Sequence, residues 1–191
     1  MEEVKNQSRP FFHISSISEH VHMPREFNKR LIKAGGVLLY RKNKNTEETE
    51  VLLIHKVLAN EWEDIGGRTD VIDSSIWDTI EREVREETNG LIHVSKERLY
   101  NSRVVYNDNA KYLLCILPAT EEETGLTTLD FGSVETHDGI YRHIYWIPLR
   151  IYLTTQFLTM CANFRLKHYM VHRILNALFE SEVKNESPKE R

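Results

Sequence analysis

The chain has 191 residues, 40% of them hydrophobic, enough to bury one core and to predict one domain. Its 29 acidic residues against 25 basic ones leave a net charge of −4, which gives no general attraction to nucleic acid. The longest apolar runs, such as YLLCILP at 112–118, are far too short to span a bilayer, and the opening MEEVKNQ is too acidic and polar for a signal peptide.

In chain order, residues 1–30 scatter His, Pro and Ser with little periodicity and read as an N-terminal extension. Lys33 to Arg41, KAGGVLLYR, is a Gly-bearing apolar run suited to a buried strand. The polar stretch NKNTEETE turns the chain into VLLIHK, so residues 35–56 predict a hairpin. A short strand then leads through Trp62 into Gly66 and Gly67. Ile76, Ile80 and Val84 recur at steps of four and form one apolar stripe, which predicts a helix. Ser75 with Asp78 three places on is a capping box for its start, with Asp73 and Ser74 as rival caps. Asn89 and Gly90 suit its end, since Asn tolerates the left-handed conformation nearly as well as Gly.

Tyr100–Tyr106 and Lys111–Pro118 are two further strand candidates around the Asn-Asp-Asn turn at 107–109. Residues 119–140 read as loop, with Glu121–Glu123 solvated. His143–Pro148 (HIYWIP) is another strand, and Leu166, Met170, Ile174 and Leu178 predict a helix from about Phe164 to Glu180. Residues 182–191 read as a frayed tail. Strands mixed with two helices place the chain in the α/β class, with a sheet covered on both faces. Cys115 and Cys161 read as buried thiols in a reducing compartment, and the cytoplasm is the expected location. Their spacing does not suit zinc or redox chemistry. The histidines lack metal-binding spacing, Trp77 reads as packing, and Arg165, Lys167, His168, His172 and Arg173 as the wet side of the last helix.

The helix at 76–87 ends in Arg82, Glu83, Glu86 and Glu87. Measured from Val84 at 100° per residue, Glu87 lies near −60°, Glu83 near −100° and Glu86 near −160°, an arc of about 100° away from the apolar stripe. Carboxylates at i,i+3 and i,i+4 repel, at roughly 3 kcal/mol per unpaired pair for an effective dielectric of about 20. A Mg²⁺ or Mn²⁺ ion would turn that repulsion into coordination. The alternative is a solvated charged face with Glu81–Arg85 and Arg82–Glu86 ion pairs, worth a few tenths of a kcal/mol each.

The stretch GGRTDVIDSSIWDTIEREVREETNG, residues 66–90, resembles the box of the Nudix hydrolases, G-x5-E-x7-R-E-U-x-E-E-x-G-U with U a bulky apolar residue. REVREE at 82–87 matches at every defined position, Gly66 and Gly67 match the opening pair, and Trp62 stands where many members carry a tryptophan. Three positions depart from the pattern: Asp73 stands for the first Glu with a spacer one residue longer, Asn89 stands for the box glycine, and Ile65 replaces a common proline.

The resemblance implies a Nudix α/β/α sandwich with a mixed sheet over residues 31–181. It implies Glu83, Glu86 and Glu87 as ligands of Mg²⁺ or Mn²⁺, Arg82 orienting them, and a substrate lying along the Gly66–Gly67 backbone. An acidic residue of a later loop, Asp130, Glu135 or Asp138, is a further candidate base or ligand. The implied reaction is hydrolysis of the phosphoanhydride in a nucleoside diphosphate linked to another moiety. A non-catalytic Nudix-fold nucleotide-binding or regulatory module and an RNA 5′-end or cap pyrophosphohydrolase are the alternatives. A second copy of the chain is a candidate partner; a membrane is not.

Overall fold

The computed structural model describes residues 8–17, 21, 30–161 and 172–178. Its centre is β3 (Ala34–Lys42), hydrogen-bonded along one edge to β8 (Tyr112–Pro118) in parallel, from Ala34↔Tyr112 to Tyr40↔Pro118. Its other edge is shared. The C-terminal half pairs antiparallel with β4 (Thr49–Lys56) and the N-terminal half with β6 (Ile65–Arg68), so the expected 35–56 hairpin forms and then splays. Into the gap runs β5 (Glu61–Glu63), paired to the far end of β4, and the chain crosses from β5 to β6 through the fully buried Asp64. β7 (Arg103–Asn107) lines the outer edge of β8, and β9 (His143–Pro148) pairs with β4. The sheet is therefore mixed, and its split delivers the glycine pair to the centre of the molecule.

Each face of the sheet carries helix. On one face α1 (Ile76–Glu87) presents Ile76, Ile80 and Val84, all at most 1% exposed, to Val37, Leu39, Leu52 and Ile54. Trp77 packs edge-to-face on Tyr100, a structural role as expected. On the other face Leu38, Val51, Leu53 and Leu114 meet Phe157 and Leu158, together with Ile174 and Leu178 from the helical residues 172–178. This is the three-layer α/β/α arrangement that the resemblance implies. Leu166 and Met170 of the expected last helix, and Arg165, Lys167 and His168, lie outside the described residues. Arg173 is docked on the sheet, donating to the Tyr106 carbonyl at 2.9 Å. Cys115 and Cys161 are buried thiols, neither of them in a disulfide.

Two expectations fail. The strand expected from Tyr100 begins later, because Lys96–Tyr100 form a helix, α2: the Ser95 side chain caps it at Arg98 N and Leu99 is fully buried. The loop expected over 119–140 contains a helix, α3 (Glu121–Gly125), started by a Thr120/Glu123 capping box. Glu123 is buried, not solvated, and both its oxygens take a 2.7 Å bond from the Arg98 guanidinium.

The described residues before position 30 also contribute to the fold. β1 (Phe12–His13) pairs with β2 (Leu31–Ile32), and Ile14, Ile17 and Val21 are buried in the same core as α1. The Thr69 hydroxyl donates to the Pro10 carbonyl at 2.5 Å, tying this segment to the loop after β6. No helix among the described residues is long and apolar enough to cross a membrane.

Candidate functional site

Ser75 starts α1 by accepting from Asp78 N at 3.3 Å, so Asp73 and Ser74 are free for other duties. The helix then lies beside β6. The buried Glu87 carboxylate accepts from Gly66 N at 2.6 Å, and Glu83 lies directly against Gly67. A Cβ on Gly67 would overlap the Glu83 carboxylate, the movable end of a side chain. A Cβ on Gly66 would fall 2.5 Å from the Gly35 carbonyl oxygen, which is backbone and cannot yield. The two substitutions are therefore expected to separate. Gly67→Ala should fold with near-wild-type thermal stability but with Glu83 displaced, whereas Gly66→Ala should lose stability by several degrees in Tm. Equal thermal shifts for the two would contradict this geometry.

Arg82 uses all five of its N–H groups. Nε and Nη2 donate to the two oxygens of Asp73 at 3.1 and 3.0 Å, Nη1 donates to Glu83 at 2.8 Å and Glu86 at 3.0 Å, and Nη2 reaches the Arg68 carbonyl at 3.0 Å. Asp73 also accepts from Asp70 N at 2.7 Å and from the Thr79 hydroxyl at 2.8 Å. Burial by itself would push the Asp73 carboxyl up, but its bonds from Arg82, Asp70 N and Thr79 outweigh that and hold it below the ordinary carboxylate value. For Arg82, burial opposes the charge and the bonds to Asp73 and Glu83 outweigh it, so the guanidinium stays charged.

A carboxylate with a depressed pKa stabilises the fold above its unfolded value, here 3.8, and loses that contribution as pH falls through the folded value. Urea unfolding of the wild type should therefore weaken below about pH 4. The Asp73→Asn variant should be less stable at pH 7 and flatter through that acid window. An identical acid slope in both proteins would remove Asp73 from this role.

The loop after α3 is clamped over the end of α1. Asn89 adopts a left-handed φ of 54°, and its side chain makes four bonds. Its amide donates to the Phe131 and Val134 carbonyls, each at 3.0 Å, and its oxygen accepts from Thr136 N at 2.9 Å and the Thr136 hydroxyl at 3.0 Å. The buried Arg142 donates to the carbonyls of Phe131, Gly132 and Glu87. Glycine in place of Asn89 would end the helix equally well but could hold none of this loop.

The clamp brings Glu135, His137 and Asp138 to the carboxylates of α1. One ligand atom from each of the three lies within 4.8 Å of the others, and His137 Nε2 is 3.8 Å from Glu86 Oε1. Burial, then the neighbouring Asp138 charge, raises the Glu135 pKa. Asp130 stays in its own turn, accepting from Thr127 N and the Thr127 hydroxyl at 2.7 Å. Gly66, Gly67, Arg82, Glu83, Glu86 and Glu87 thus share a cleft of about 390 Å³ with Glu135, His137 and Asp138. Lys56, Asp70 and Arg9 also line it and, with His137, were missed by the sequence reading, because nothing local in the sequence marks them. The donor set is oxygen-rich, with carboxylates from two separate elements and one imidazole, which suits a hard divalent cation such as Mg²⁺ or Mn²⁺.

No family model and no curated protein matches the sequence. The fold is similar to solved structures. The C. elegans Ap4A hydrolase in a binary complex is 17% identical, with a TM-score of 0.46 over 80% of this chain and 99% of that one. The NUDIX domain of Shewanella oneidensis NrtR complexed with ADP ribose is 16% identical, with a TM-score of 0.46 over 87% and 97%. The T. brucei MERS1–RNA complex is 14% identical, with a TM-score of 0.40 over 72% and 56%.

Proposed function

We propose that the chain is a Mg²⁺- or Mn²⁺-dependent hydrolase that cleaves the phosphoanhydride of a nucleoside diphosphate linked to another moiety. The observation that carries this reading is the meeting of Glu83, Glu86 and Glu87 with Glu135 and Asp138 in one cleft beside the Gly66–Gly67 backbone. Phosphoanhydrides resist attack because their oxygens repel a nucleophile, so catalysis requires positioning and charge neutralisation. Glu83, Glu86 and Glu87 would hold the cation, with Glu135 or Asp138 completing the set. The ion, when bound, offsets phosphate charge and lowers the pKa of a water.

The chain's own groups do the rest. Arg82 fixes the rotamers of Glu83 and Glu86, and Gly66 N fixes Glu87. Gly67, lacking a side chain, lets the Glu83 carboxylate lie against the backbone of β6. Glu135, buried at the cleft beside His137 and Asp138, is the group proposed to accept the proton of the attacking water. The pairing of Asp73 with Arg82, at the position where the Nudix pattern has a glutamate, supports an intact site over a lapsed, purely binding one.

The test is incubation of the purified protein with NDP-sugars, dinucleoside polyphosphates and capped RNA, with and without Mn²⁺, following phosphate-bearing products. At least one compound is expected to turn over only with the metal. Turnover without metal would overturn the proposal, and tight binding without turnover would replace it with the regulatory-module reading.

A further inference from the structure

Beside the carboxylate cleft lies a second recess of about 560 Å³, and the two share Arg9 and Arg68. Lys33 adds a third cation to the recess. All three side chains are exposed, and among the described residues none of them has a carboxylate partner, although the chain carries 29 acidic residues. Their placement is set by the fold. Arg68 opposes Ala34 in the β3–β6 register, Thr69 N donates to the Lys33 carbonyl at 3.2 Å, and the Thr69 hydroxyl anchors Pro10 next to Arg9. Three unpaired cations gathered around one recess repel one another and are relieved by an anion. The neighbouring cleft is acidic, so the boundary between them divides a place for cation-assisted chemistry from a place that takes bare negative charge.

We propose that this recess, on the reading that the carboxylate cleft is hydrolytic, binds the continuation of the substrate's phosphate chain beyond the cleaved bond. The preferred substrates then carry more phosphates than a simple diphosphate. Arg9 and Arg68, common to both spaces, span the two, and Lys33 holds the distal phosphate. Arginine at the boundary suits bidentate phosphate contact, and lysine in the recess a point charge.

The test is calorimetric titration of adenosine 5′-tetraphosphate and of AMP into Glu86→Gln protein without divalent ions, with Lys33→Glu or Lys44→Glu added. Lys44, on the turn between β3 and β4, controls for net charge. Charge-assisted bonds of this kind imply that Lys33→Glu weakens tetraphosphate binding about tenfold or more and AMP far less. Arg9→Gln should act in the same direction. Equal effects of Lys33→Glu and Lys44→Glu would overturn the proposal. With Glu86 restored, absence of turnover alongside a Lys33-dependent preference would sink the hydrolase reading and leave an anion site. Turnover with no such preference would do the reverse.

Discussion

Glu86→Gln is expected to cut metal-dependent turnover by well over 100-fold while the protein keeps its fold. The roughly 10- to 100-fold cost typical of altering a group that only supports a metal ligand sets the floor. Glu86 stands closer than that: one oxygen takes the Arg82 Nη1 bond at 3.0 Å and the other faces His137 at 3.8 Å, between the helix carboxylates and the loop. The amide keeps the size and can still accept from Arg82, so the stability change should stay within about 1 kcal/mol. Relief of like charge against Glu83 pulls in the stabilising direction. Parallel activity and urea-unfolding measurements on Glu86→Gln and Glu87→Gln check the split. Full activity, or a loss of activity matched by unfolding, would contradict a catalytic role.

Arg82→Ala should have the largest effect on stability. It leaves Asp73, whose side chain is 2% exposed, without a counter-charge, and removes the neutralising partner of Glu83 and Glu86. Stranding one member of a buried ion pair costs about 3–5 kcal/mol. The urea midpoint should therefore fall strongly with the slope unchanged. Arg82→Lys should recover only part, because an ammonium cannot replace five N–H bonds in a planar fork. A midpoint shift worth less than about 1 kcal/mol for Arg82→Ala would reduce the network to a surface ion pair.

The sequence made legible whatever repeats. The 76/80/84 stripe, the apolar runs of β3, β4 and β8, and HIYWIP all lie where periodicity or length placed them. Helices of five residues escape that signal. α2 and α3 could have been found only from their caps, Ser95 and Thr120, which read equally as turn residues. The core role of Ile14 and Ile17 is tertiary, set by β1 pairing with β2.

At the candidate site, the REVREE carboxylates were readable because one helix carries them. The three loop candidates were separable only in space: Glu135 and Asp138 line the cleft, while Asp130 is consumed by Thr127. Two of the three departures from the Nudix pattern acquire physical reasons. A shorter acid on a longer spacer still reaches Arg82, and Asn89 holds the loop that a glycine would release. His137 had no signal, since a loop residue's neighbours are fixed by such tethers and not by spacing.

The most direct measurement is a Mn²⁺ titration followed by electron paramagnetic resonance, on the wild type and on a Glu83→Gln/Glu86→Gln/Glu87→Gln variant. Saturable binding in the wild type that is lost in the variant, with Mg²⁺ displacing the Mn²⁺, is the expected result. Equal Mn²⁺ binding by both proteins, or none by the wild type, would contradict the claim that these carboxylates are gathered to hold a cation.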